Sequence, residues 1–146
     1  MKEKINFMPG DVLVASRGLY NHYGIYCGNG VVVHFAADSA NETSAKNAFI
    51  QKVPFEYFRR GCTVKAEVTA KKCFSREKTV ERALSAVGSG KGTYNLAFHN
   101  CEHFANWCKY GEEKSLQVER AIAGTVGLMA VSVIAVAGLA AGDADI

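Results

Sequence analysis

The sequence has little of what several common functions require. Its five cysteines, at positions 27, 62, 73, 101 and 108, form no Cys-x-x-Cys pair and are odd in number. That argues against a disulfide framework and a zinc finger alike, and fits a reducing, cytosol-facing compartment. There is no Walker-type glycine loop for a nucleotide phosphate, and no Gly-x-Ser-x-Gly turn for a serine nucleophile. The net charge of +3, from 17 Lys+Arg against 14 Asp+Glu, is too mild and too dispersed for nucleic acid. The first nine residues hold no apolar run of the kind a secretory leader needs. No internal repeat appears. What remains is ordinary for one folded domain: 146 residues, 49% hydrophobic, 10% aromatic and 21% charged.

The apolar content is concentrated at one end. Residues 121–141 carry no charge and consist of aliphatics, Met, Ala and Gly with only Thr125 and Ser132 among them. As a helix this stretch would span roughly 32 Å at ~1.5 Å per residue, enough to cross a ~30 Å hydrocarbon core. Its Ala and Gly content leaves a buried helix of a soluble domain as the other reading. Lys109, Lys114 and Arg120 precede the stretch and Asp143 and Asp145 follow it, which predicts that residues 1–120 stay on the cytosolic side. The expected organisation is therefore a domain over 1–115, a basic juxtamembrane linker over 116–120, a transmembrane anchor over 121–141 and a short acidic tail over 142–146.

Within the domain, residues 11–16, 22–27 and 31–36 are rich in Val, Ile and Tyr and are predicted to be strands. Gly28-Asn29-Gly30 joins the second to the third. Residues 37–46 are polar and irregular, a flexible loop in which Asn41-Glu42-Thr43 matches a glycosylation acceptor by chance. Pro54 opens a helical turn stopped by Gly61. Cys62, Val64, Ala66 and Val68 alternate with polar residues, as on a half-buried strand. The period then changes: Val80, Ala83, Leu84 and Val87 mark an amphipathic helix with Ser75 as its cap and Gly88 as its stop. Residues 89–93 form a Gly-rich turn. A second helix is expected from Cys101 to Tyr110, capped by Asn100 and closed by Lys109 and Gly111. Strands first and helices later predict an α+β domain with an antiparallel sheet and packed helices.

Cys101 is the most informative residue. In the first turn of a helix, free N–H groups and the dipole favour a thiolate, so a cysteine there is a candidate nucleophile. A small buried hydrophobe is the alternative, and it is the reading adopted for Cys108, while Cys27, Cys62 and Cys73 are taken as structural. A thiol nucleophile needs a base, and the base needs a partner to hold its ring. A three-residue loop at Gly28-Asn29-Gly30 would pair Gly24 with His34 and His22 with Ala36, placing His22 and His34 on one face within reach of each other. A two-residue turn at Asn29-Gly30 would slip the register by one and send them to opposite faces. His99, Cys101 and His103 do not converge on a helix, so no metal is expected, and His103 is read as a neutral packing or capping residue.

The runs Pro9-Gly10-Asp11-Val12-Leu13, Asn21-His22-Tyr23-Gly24-Ile25-Tyr26, Val32-Val33-His34-Phe35-Ala36 and Asn100-Cys101-Glu102-His103-Phe104 stand in order along the chain. Together they resemble the lecithin:retinol acyltransferase-like family, and within it the small H-rev-type phospholipase A/acyltransferases. The resemblance implies a circularly permuted papain-like domain with no cofactor. It implies Cys101 as nucleophile, His22 as general base and His34 as the residue that orients and polarises His22, and with them the three-residue loop. The implied reaction moves a phospholipid acyl chain through a thioester on Cys101 to water or to an amine or hydroxyl acceptor. Tyr23 departs from the family, which often has Trp after the first histidine. A peptidase or deacylase on the same scaffold, and a catalytically silent membrane protein, are the competing readings.

Overall fold

A computed structural model describes residues 5–37, 42–94 and 100–111, and the expected linker, transmembrane anchor and acidic tail lie outside the described residues. Among the described residues no helix is long and apolar enough to cross a membrane. The chain forms β1 (Val12–Ser16), β2 (Asn21–Gly28), β3 (Val31–Ala37), β4 (Ala48–Pro54), α1 (Phe55–Arg59), β5 (Val64–Ala66), α2 (Arg76–Ser85) and α3 (Cys101–Tyr110). The strands make one antiparallel sheet in the order β4-β3-β2-β1-β5. The class is α+β, as the sequence predicts.

Alternation along the strands divides the core into two layers. Val12, Tyr23, Ile25, Val33 and Phe35 pack with Ala83 of α2 and with Cys101, Phe104, Ala105 and Cys108 of α3. Leu13, Ala15, Tyr26, Val32 and Val53 pack with Phe55 and Phe58 of α1 on the other face. Strands β2 and β3 are buried on both sides, which is why their sequences are almost continuously apolar.

The hairpin corrects the loop expected between β2 and β3. Asn29 and Gly30, with φ of 53° and 75°, form a two-residue turn with both residues left-handed, closed by Gly28 opposite Val31. The register then shifts between Tyr26 and Gly28, leaving Cys27 as an extra residue. Because of this bulge, Tyr26 pairs with Val32 and Ile25 with Val33, the same register that a three-residue loop gives. The turn is one residue shorter than expected, yet the alignment of the histidines survives.

Other departures have local causes. β4 goes unrecognised in the sequence because Gln51-Lys52 breaks its apolar alternation, although it pairs with β3 along its whole length and ends on Pro54, where a missing N–H costs an edge strand little. Strand β5 is only three residues long, and Val68 lies beyond it almost fully exposed at 94%. Helix α1 begins after Pro54 and ends on Arg60 in the left-handed conformation rather than at Gly61. In α2, Ser75 does cap, accepting from the Lys78 N–H at 3.1 Å. The buried stripe, however, is Thr79 and Ala83; Leu84 and Val87 face solvent, so the apolar period runs one position off the face that packs. Cys73 is exposed, which does not fit a structural role.

Gly24 shows how tightly the α1 face closes. A Cβ there would lie 2.6 Å from Phe58 Cε1 and 2.7 Å from Val32 Cγ1, and Phe58 is fully buried. Gly24→Ala is expected to destabilise the domain by about 1–3 kcal/mol, the usual cost of overpacking. A thermal circular-dichroism melt indistinguishable from wild type would show that Phe58 does not occupy this space.

Candidate active site

His22 and His34 come together from adjacent strands. Each is 1% exposed, and His22 Nε2 lies 2.8 Å from His34 Nδ1. Continued along the strands, the register sets Gly24 opposite His34, and the space left by the missing side chain is taken by Phe58. Its ring packs 5.3 Å from that of His22 and 5.7 Å from that of His34, fixing both imidazoles from one side. Nδ1 of His22 is buried without a hydrogen-bond partner among the described residues. Burial first, and the neighbouring His34 second, hold His22 well below its ordinary pKa, so its imidazole is neutral; Glu42 acts in the opposite sense.

Cys101 begins α3, as expected. The Asn100 side chain accepts from the N–H groups of Glu102 at 2.9 Å and His103 at 3.1 Å, and the Asn100 N–H donates to His103 Nδ1 at 3.2 Å. His103 is thus a capping residue whose Nδ1 carries no proton. The thiol is 4% exposed, and burial pushes it up to about 12, while the backbone N–H groups of Tyr23 and Glu102 pull the other way. Desolvation by the surrounding core thus outweighs the pull of the helix terminus toward a thiolate.

The thiol therefore sits against the backbone of Tyr23, the residue next to His22. Among the described residues no hydrogen bond joins it to the imidazole. The three residues singled out from sequence converge on the start of β2. The two histidines are in contact, and the cysteine is adjacent through the strand.

Four further residues complete the site and were not anticipated. Glu42, in the loop expected to be solvated, is 3% exposed. It accepts from Arg17 Nε at 2.7 Å and Arg17 Nη2 at 3.0 Å, and from the Tyr20 hydroxyl. Its Oε1 lies 3.7 Å from His22 Nε2 and 3.8 Å from Arg60 Nε. Burial alone would raise this carboxyl; the Arg17 hydrogen bonds, His22 and the Tyr20 hydroxyl more than offset it and hold it at about 2. Arg17 also donates to the carbonyls of Arg59 at 2.7 Å and Phe58 at 2.5 Å, tying the cluster to the helix that backs the histidines. The available signal was faint: a carboxylate in a short run of small polar residues just after the second histidine strand.

A cavity of about 230 Å³ lies beside the helix start, lined among others by Phe35, Ile50, Gly90, Asn100, Phe104 and Trp107. It is mainly apolar, and it opens next to the residue that precedes Cys101.

Comparison with known proteins gives a consistent result. The family model described as lecithin retinol acyltransferase matches residues 5–114. Phospholipase A and acyltransferase 1 of Rattus norvegicus is 32% identical over 136 residues, covering 86% of this chain and 80% of that protein. Lecithin retinol acyltransferase of the same species is 30% identical over 139 residues, covering 79% of this chain and 59% of its own length. Phospholipase A and acyltransferase 3 of Homo sapiens is 33% identical over 144 residues, covering 88% of each.

Proposed function

The chain belongs to the lecithin retinol acyltransferase family, and from that premise we propose that it is a cysteine-dependent phospholipase A and acyltransferase. The observation that carries the reading is the 2.8 Å contact between His22 Nε2 and His34 Nδ1, which leaves His22 Nδ1 as a buried base beside the strand residue that Cys101 touches.

The chemistry starts from a neutral thiol and a neutral imidazole. As the Cys101 sulfur attacks the ester carbonyl of a phospholipid acyl chain, its proton passes to His22 Nδ1, and His34 holds the ring through Nε2. The cap uses the N–H groups of Glu102 and His103 but not that of Cys101, which in this reading donates to the developing oxyanion. When the carbonyl re-forms, the C–O bond breaks and His22 returns the proton to the departing lysophospholipid oxygen. An acyl thioester remains on Cys101. Water, an amine or a hydroxyl then gives a proton to His22 and attacks the thioester, and the proton returns to sulfur as the thiol leaves. Because the thiol and both histidines are buried, the ester reaches the sulfur only when the side chains over it move.

Residues 121–141 act in this reading as an anchor that holds the domain, with its site in the cytosol, at a substrate confined to the bilayer. Two chains test it, the full one and one ending at Arg120, each assayed for lysophospholipid release. On phosphatidylcholine-detergent micelles the two should be equally active and equally folded by circular dichroism. On phosphatidylcholine vesicles the shorter chain should be at least about tenfold slower, having lost the effective concentration that anchoring supplies. Equal rates on vesicles would remove the anchor. Absence of lysophospholipid in every arm, with cleavage of peptide substrates instead, would replace the lipid reading by a peptidase.

A further inference from the structure

We propose that Glu42 is the positioning residue for His22, fixing the tautomer that leaves Nδ1 free to accept the thiol proton and stabilising the imidazolium that results. The inference rests on the reading of Cys101 as nucleophile and His22 as base, and adds a carboxylate to that pair.

The geometry gives the carboxylate one orientation. Both of its oxygens are held by Arg17, one also by the Tyr20 hydroxyl, and its backbone carbonyl accepts the Ala37 N–H at 2.7 Å. The Arg17 and Glu42 side chains are 7% and 2% exposed, so little solvent screens them. From that fixed position, Oε1 faces Nε2 of His22 at 3.7 Å and not Nδ1. A negative charge there favours the proton on Nε2, which then donates to His34 Nδ1 across 2.8 Å. The other tautomer would put an N–H on Nδ1, for which the described residues offer no acceptor, and would keep the 2.8 Å contact only if His34 moved its own proton to Nδ1. The Nε2–H form is thus the stable one, and it presents a bare Nδ1 lone pair.

The same charge matters when the thiol proton arrives. Around His22 stand His34 from β3, Arg17 from the end of β1, Arg60 after α1 and Cys101 from α3, with Tyr20 reaching it through Glu42. Arg17, Arg60 and His34 disfavour a cation there; Glu42 alone of these fixed groups favours one. A purely structural Arg17–Glu42 pair would need no such placement against an imidazole.

Opposite charges in one cluster make the test directional. In full-length protein labelled with 15N-histidine, the wild-type His22 should show the Nε2–H pattern of imidazole shifts at neutral pH. Glu42→Gln should populate the Nδ1–H form, and alkylation of Cys101 by iodoacetamide, followed by peptide mass at pH 7, should slow by about tenfold, one pK unit of lost ion-pair stabilisation. Arg60→Gln, which removes a partly buried cation from the same oxygen, should instead speed alkylation. Glu42→Asp, which keeps the charge, should restore the Nε2–H form. A folded Glu42→Gln with the wild-type tautomer and alkylation rate would overturn the proposal, as would slowing by Arg60→Gln. If Glu42→Gln does not fold, the Arg60→Gln direction decides. None of these readouts uses lipid: a chain that shows them but turns over no phospholipid keeps the positioning role and loses the proposed substrate. If His22→Ala left Cys101 alkylation unchanged, the thiol–imidazole pair itself would fall.

Discussion

Cys101→Ala is expected to abolish phospholipid turnover and the acyl adduct together, while the domain remains folded. Loss of a nucleophile that works with its base as a unit costs on the order of 10⁴-fold or more in rate, and no other group takes its place. The alternatives are poor. Cys108 is fully buried seven residues along α3, and Cys27 lies in the hairpin bulge with its thiol also pushed up, to about 11, by burial. Removing one sulfur from the core leaves a small void worth on the order of 1 kcal/mol, and the Asn100 cap uses backbone groups that the substitution leaves intact. Intact-mass spectrometry after incubation with phosphatidylcholine vesicles should show one acyl group on the wild type and none on the variant, with similar melts. Turnover by the folded variant at more than a few per cent of wild type would remove Cys101 from the mechanism.

His22→Ala should be almost as damaging, and far more so than His34→Gln. A thiol held at about 12 by burial is overwhelmingly protonated near neutrality, so without Nδ1 of His22 nothing carries its proton away. General-base help of this kind is worth about 10²–10⁴-fold, and His22→Ala should lose most of it. His34→Gln keeps an amide able to accept from His22 Nε2, so the ring stays oriented by that bond and by Phe58, and the loss should be nearer tenfold. Because the folded His22 ionises well below 6.5, the acid limb of kcat/KM should lie below the usual imidazole range and the profile should be flat through neutral pH. Initial rates for both variants, with wild type measured across pH 4–9, settle the assignment. A greater loss in His34→Gln than in His22→Ala would reverse the two roles.

The Glu42 cluster bears on how this site holds a neutral thiol and a neutral imidazole side by side. Desolvation acts on all of its members, raising Cys101 and lowering His22. Glu42 escapes the same effect because Arg17, the neighbouring His22 and Tyr20 offset it, Arg17 and Tyr20 by hydrogen bonds to its oxygens. The site therefore keeps one fixed negative charge facing Nε2 and stays uncharged where the proposed proton transfer would take place.

Local signals in the sequence determined the elements that carry the candidate site residues. Asn100 before Cys101 and Gly111 after Tyr110 set both ends of α3, because a side-chain acceptor and a left-handed glycine satisfy the terminal N–H and C=O groups whatever surrounds the helix. Ser75 did the same for the start of α2. The alternation in β2 and β3 placed His22 and His34 on one face, since a strand's period of two depends on the chain alone once its register is known. The motifs also carried the family. Tertiary structure decided the rest. It set the register through a two-residue turn and a bulge at Cys27, two irregularities that cancel and that no local rule joins. It chose which side of α2 is buried, because Thr79 and not Leu84 meets the rest of the protein. It kept Cys101 a thiol, since desolvation is a property of the surrounding core and not of the helix terminus. Above all, it brought Arg17, Glu42 and Arg60 to His22 from three separate segments, and long-range electrostatics of that kind leaves no periodicity in the sequence to read.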